Sequence, residues 1–229
     1  MRLDKFVCKS TSLSKTLARQ AIENNELMVN EVVIVDPAFQ VHENNSITLN
    51  GKQLTARPFR YLLMHKPPNT ICSNIDEVYP SALNLLDIEH LSDLHIAGRL
   101  DADTTGLILI TDNGRLTFNI TQPNSGCKKV YRVGLSRDIN EDVITRFKHG
   151  VQLQGEAKLT LPASLEIIEP REVLLSLTEG KFHQVKRMFA AVGNRVISLH
   201  REQIGKVKLD VEQGAWRYLT PTEVESFHG

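Results

Sequence analysis

The chain has 229 residues, 27 basic and 27 acidic side chains, and a formal net charge of zero. That length suits one large domain, or a small one joined to a medium one. The charge balance excludes a global basic field, so a nucleic-acid surface would have to come from local clustering. Apolar content is ordinary for a globular protein, and no apolar run is long enough to cross a bilayer. Met1-Arg2-Leu3-Asp4-Lys5 is not followed by the apolar core of a signal peptide. Cys8, Cys72 and Cys127 are far apart, which suits a reducing cytoplasm, and neither they nor the eight histidines show metal-ligand spacing.

Residues 1–54 read as a small module. Ser12 or Ser14 caps a helix on which Leu17, Ala18, Ala21 and Ile22 form one apolar face. Leu27 to Val35 is expected as two short strands around an Asn30-Glu31 turn. Ser46 to Leu54 is expected as a hairpin turning at Asn50-Gly51. Arg2, Lys5, Lys9, Lys15 and Arg19 gather at the start, which suits a compact RNA-binding unit; the plainer reading is a solvated face. Residues 55–60, with Pro58, read as a linker.

Residues 61–229 read as a second, strand-rich domain. Tyr61 to Met64 is a strand ending at His65-Lys66-Pro67-Pro68. Ser81 to Asp87 suits a short helix, and Asp112 or Asn113 caps another that runs to about Thr121. Lys128 to Leu135 alternates like a half-buried strand. Asn140 caps a helix with Val143, Ile144 and Phe147 inward and Gly150 past its end. Ala163 to Ile168 and Glu172 to Leu177 pair around Pro170-Arg171. A helix follows with Val185, Met188, Phe189 and Val192 on one face, closed by Gly193. Arg195 to Leu199 and Lys206 to Leu209 are strands, and Thr220-Pro221-Thr222-Glu223 is a capping box.

One stretch stands out for chemistry. Gly98-Arg99-Leu100-Asp101-Ala102-Asp103-Thr104-Thr105-Gly106 reads as a loop held against the buried strand Leu107 to Ile110. A carboxylate nucleophile must be ionised and positioned, and a nearby cation favours the charged form. Arg99 is one candidate cation; Lys186 and Arg187, in Glu179-Gly180-Lys181-Phe182-His183-Gln184-Val185-Lys186-Arg187-Met188, are others. Tyr131 offers a ring that can stack on a base lifted from its helix, although a strand tyrosine also serves packing. His183 reads as a polar residue at a helix start, with no second base placed beside it. Asp101 to Thr105 also fits the DxDxT pattern of haloacid-dehalogenase-type phosphotransferases. That pattern follows a long apolar strand and needs a later acidic pair for magnesium, and neither is present.

Gly-Arg-Leu-Asp at 98–101, Lys-Val-Tyr-Arg at 129–132 and His-Gln-Val-Lys at 183–186 resemble, in order, motifs of the pseudouridine synthases that act on ribosomal RNA. Arg2-Leu3-Asp4-Lys5-Phe6, with Ser14 and Met28-Val29-Asn30, resembles the S-four-type RNA-binding module. The resemblance implies an α+β catalytic domain with a mixed, mostly antiparallel sheet behind that small N-terminal domain. It implies Asp101 as nucleophile, Lys186 as its partner and Tyr131 stacked on the target uracil. It further implies Arg99, Arg187 and Lys66 at the substrate, and Arg2, Lys5, Lys15 and Arg19 on RNA. No cofactor or metal is implied. The run from Glu179 to Glu202 is most similar to members that modify small-subunit (16S) RNA, free or in an assembling ribonucleoprotein, acting in the cytoplasm as a monomer. A large-subunit (23S) RNA synthase and a non-catalytic assembly protein are the alternatives.

Overall fold

The computed structural model describes residues 1–227; the last two residues of the expected catalytic domain lie outside the described residues. The chain divides into two compact units, Met1–Pro58 and Phe59 onward. The division falls inside the expected linker. The Arg57 guanidinium donates to the carbonyls of Cys8 and Thr11 at 3.0 Å, tying it to the first unit. Arg60 donates from its backbone N and its Nε to Asp112, at 2.9 and 3.3 Å, in the second.

The first unit contains α1 (Leu3–Ser10), α2 (Lys15–Glu23) and an antiparallel sheet. The strands run in the order β2 (Val32–Val33), β1 (Leu27–Val29), β3 (Ile47–Leu49), β4 (Lys52–Gln53). Leu3, Val7, Ala18, Ile22, Leu27 and Ile47 are fully buried in its core. Ser14 is the cap of α2, accepting from the Leu17 N–H. Leu17 itself is 51% exposed, because Ala18, Ala21 and Ile22 take the centre of the apolar stripe and leave it at the margin. The helix α1 goes beyond the single one expected here. Its Asp4 is buried and accepts from Arg2 at 2.8 and 3.0 Å and from Arg19 at 3.3 Å. Burial pushes the Asp4 carboxyl up, but the two guanidinium groups outweigh it and hold the group below the usual carboxylate range. The β1–β2 turn places Asn30 and Glu31 at φ 49° and 67°, the left-handed pair that tight hairpins require.

The second unit is built on one sheet in the order β13 (Trp216–Tyr218), β5 (Tyr61–Lys66), β7 (Thr105–Thr111), β11 (Val196–Ile204), β8 (Lys129–Leu135), β10 (Glu172–Leu177), β9 (Ser164–Glu169). In addition β6 (His95–Ala97) pairs with β7, and β12 (Val207–Lys208) with β11. Only β7 and β11 are parallel; the other ladders are antiparallel, so the sheet is mixed and mostly antiparallel. Apolar residues run unbroken through the middle of β5 and β7 because both faces are covered. Leu62, Met64, Ile108 and Ile110 share a core with α4 (Asp142–His149) and α5 (Gln184–Ala191). Leu63, Leu107 and Leu109 share another with α3 (Gly114–Thr121).

Several local expectations are refined. Asn113 is the cap of α3, accepting from the N–H groups of Arg115 and Leu116. Asn140 does not cap α4: the helix starts later, and Asn140 gives only its backbone carbonyl to the Val143 N–H. Ile144 is 36% exposed, since Val143 and Phe147 take the core face. The expected helix after Ser81 is a single 3-10 turn, Ala82–Leu85, and the strand expected to stop at Leu199 continues to Ile204. Among the described residues no helix is long and apolar enough to cross a membrane.

The capping box at α6 (Pro221–Glu225) is present. Glu223 accepts from the Thr220 N–H at 2.8 Å, and Arg217 donates twice to its carboxylate at 2.8 Å. The Arg217 bond, together with the Thr220 N–H, overcomes burial and holds Glu223 at about 2, against an ordinary 4.5. A depressed carboxylate contributes stability that is complete above the ordinary value and is lost as pH falls through the folded one. Glu223→Gln should therefore lower stability at neutral pH by about 1–3 kcal/mol. The gap from wild type should shrink between pH 4.5 and about 2 in denaturant titrations. A gap that stays constant across that window would show that the ionised network contributes nothing.

Candidate active site

The strands β6 and β11 share one edge of β7. β6 pairs along Leu109 to Thr111, and β11 pairs at Thr105 and Gly106. The 98–104 loop therefore turns where one partner ends and the other begins. Leu107 falls between the two ladders, and its carbonyl accepts from Arg201 Nε at 2.7 Å. The same guanidinium donates to the Gly98 carbonyl at 2.7 Å and to the Tyr131 hydroxyl at 3.3 Å. Arg201 is 2% exposed. It closes the seam between the ladders and ties the loop's first residue to Tyr131. Gly106 is required beside it: φ is 111°, and an added Cβ would lie 2.3 Å from the Arg201 carbonyl oxygen.

The other end of the loop is held by Lys66. Its ammonium donates to the carbonyls of Pro67, Ala102 and Thr104 at 3.0, 3.3 and 2.8 Å. Burial pushes its pKa below the ordinary lysine value. The Asn69 N–H also donates to the Ala102 carbonyl, and the Thr104 N–H closes a turn onto the Asp101 carbonyl. Lys66 was expected at the substrate, but it is fully buried and spends its donors on the loop backbone. Lys66→Met should then lower kcat by about 10- to 100-fold by loosening the loop, with RNA affinity little changed. Weaker RNA binding at an unchanged kcat would instead make it a substrate contact.

Between these anchors the half-buried Asp101 carboxylate faces α5. Lys186 Nζ donates to Asp101 Oδ2 at 2.9 Å and to both oxygens of Asp103 at 2.7 and 2.9 Å. Burial lowers the Lys186 pKa, but its hydrogen bonds to Asp103 and Asp101 outweigh this and raise it above the ordinary value, so it is charged at neutral pH. Asp103 moves the other way: burial raises it, and the Lys186 bond and charge bring it below the usual range. His183 places Nε2 3.4 Å from Asp101 Oδ1, which its reading as an isolated polar residue did not foresee.

The remaining expected residues divide. Tyr131 is 8% exposed and reaches the loop through Arg201, whose guanidinium carbon lies 5.8 Å from its ring centre. Arg187, the neighbour of Lys186, turns away: it donates to Glu156 at 3.2 and 3.3 Å and to the carbonyls of Phe182 and Gln154. It braces a loop rather than meeting Asp101. Arg99 is exposed and has no side-chain partner among the described residues. Lys5 and Lys15 are exposed, whereas Arg2 and Arg19 each spend part of their guanidinium on Asp4. Arg201 was missed because the strand was expected to end at Leu199, which left His200-Arg201-Glu202 outside it. Its one sequence signal is strand continuity past Leu199, which puts it opposite Tyr131.

A carboxylate held by a lysine on a braced loop has the charge and the fixed position that a nucleophile needs. The family described as RNA pseudouridylate synthase matches residues 60–191, and the S4 domain family matches residues 1–47. The chain belongs to the RNA pseudouridylate synthase family. It is 48% identical over 228 residues to the ribosomal small subunit pseudouridine synthase A of Vibrio cholerae, covering 99% of both chains. It is 42% identical over 229 residues to the protein of that description in Escherichia coli, again covering 99% of both. A crystal structure of a pseudouridylate synthase superposes with a TM-score of 0.73 at 39% identity, covering 99% of each chain.

Proposed function

We propose that this pseudouridine synthase isomerises one uridine of small-subunit (16S) ribosomal RNA. The reading is carried by the Asp101–Lys186 pair on its braced loop, in a chain alike over its full length to synthases described as acting on the small ribosomal subunit. In the reaction the bond from C1′ to N1 breaks, the uracil turns, and C1′ bonds to C5. The C5 hydrogen leaves as a proton and N1 gains one. Asp101 acts as the covalent nucleophile, held and oriented by Lys186. Tyr131 lies against the flipped uracil, whose extrusion costs less from a loop than from a helix. Arg99 meets substrate phosphate, while Lys66 and Arg187 act through the loops they hold. The enzyme works in the cytoplasm as a monomer, on free RNA or an assembling ribonucleoprotein.

The test follows from the chemistry. With tritium at C5 of uridine, each turnover releases one tritium to water. Release from small-subunit RNA and not from large-subunit RNA is the expected result; release from large-subunit RNA alone would overturn the choice of substrate. Lys5, Lys15, Arg2 and Arg19 contribute phosphate contacts from the first unit. A chain beginning at Phe59 should fold, because the second unit has its own cores, but bind RNA more weakly and with a shallower salt dependence. A salt slope equal to that of the full chain would reduce the basic residues to a solvated face.

A further inference from the structure

The loop entering α5 carries a feature the reaction does not account for. Phe182 is 76% exposed, and its ring stacks on that of His183 with centroids 3.7 Å apart and planes 23° from parallel. His183 turns its Nε2 edge to Asp101 at 3.4 Å, and the Phe182 ring lies on the face of that imidazole. A single exposed phenylalanine is unremarkable by itself. This one is held in place. His183 sits in the left-handed region at φ 49° and ψ 33°, an uncommon conformation for a residue with a side chain. The Phe182 carbonyl accepts from Arg187 at 3.0 Å, and Arg187 is itself fixed on Gln154 and Glu156. Lys181 is fixed at both ends, by its N–H to Gln184 at 2.8 Å and by its ammonium to Glu156 at 3.1 Å. The loop backbone is thus tied down on both sides of a ring that is largely exposed.

We propose that Phe182, backed by His183, is a stacking platform for an unpaired RNA base neighbouring the flipped uridine. This rests on the RNA-modifying function given above. Extruding one base leaves its neighbours unstacked, and a fixed aromatic face next to the nucleophile supplies a replacement partner that is indifferent to base identity. The stacked pair also has its ordering cost met before RNA arrives. Two of the residues that fix the loop, Lys181 and Arg187, share the Glu156 carboxylate, so the second use of Arg187 is to hold this platform.

The experiment uses the full chain and protein-free small-subunit RNA carrying tritiated uridine. Kd and tritium release are measured for wild type, Phe182→Ala, Phe182→Leu and Phe182→Trp. Alanine and leucine should each raise Kd and KM by about 5- to 150-fold, with a smaller change in kcat, and tryptophan should stay close to wild type. The slope of log Kd against log salt should not change, since no phosphate contact is lost. Wild-type Kd in Phe182→Ala, or rescue by leucine, would overturn the platform, the second because apolar area alone would then suffice. A defect that appears only on ribosomal particles would assign the ring to a protein partner instead. Asp101→Asn, which should lose tritium release but keep its Kd, separates the two readings. If wild type releases no tritium from small-subunit RNA, the substrate assignment fails, and the Kd comparison on the ribosomal RNA it does turn over still judges Phe182.

Discussion

Asp101→Asn should abolish tritium release, by about 10⁴-fold or more, while RNA affinity stays within about twofold of wild type. The amide keeps the size of the carboxylate, and its oxygen still accepts from Lys186, so the loop has no reason to move. It cannot form the covalent bond. The anchors of the loop are elsewhere: Arg201 on Gly98 and Leu107, and Lys66 on Ala102 and Thr104. An unchanged thermal midpoint should therefore accompany the loss of turnover. Pseudouridine formation at near the wild-type rate would sink the assignment and turn attention to Asp103, the other carboxylate that Lys186 holds.

Lys186→Met should reduce kcat by about 10²–10³-fold and reshape its pH dependence. Lys186 is the cation shared by Asp101 and Asp103. Lys186 holds the Asp103 carboxyl below the usual carboxylate range, so without it Asp103 takes its proton at higher pH and the acid limb of the pH–rate profile should move to higher pH. Lys186→Arg should keep part of the activity, since the charge survives in a different donor geometry. Arg187→Met makes the control. Its partners are Glu156 and backbone carbonyls, so it should weaken RNA binding and loop stability without moving the acid limb. A wild-type profile in Lys186→Met with a shifted one in Arg187→Met would reverse the two assignments.

How much of this was legible in the chain depends on whether the cause is local. The Asn50-Gly51 hairpin, the α6 capping box, the alternation of β8 and the apolar stripe of α5 follow from neighbouring residues, because turn dihedrals, end caps and side-chain periodicity are short-range. The motif order also named Asp101, Tyr131 and Lys186, and the structure brings Asp101 and Lys186 within 2.9 Å. What lay beyond the sequence is where charged side chains spend their hydrogen bonds. Lys66 and Arg201 look like surface residues in one dimension; both are buried because the loop and the seam between β6 and β11 leave carbonyls that only long donors reach. Arg187 and Lys186 are adjacent in sequence, yet a rotation of about 100° per helical residue sends one to Glu156 and the other to Asp101. The sequence by itself determined most of the elements and the two units, and its motifs pointed to Asp101. The tertiary structure decided which cation serves it and which ones hold the loops, because those choices rest on contacts between residues up to 103 positions apart.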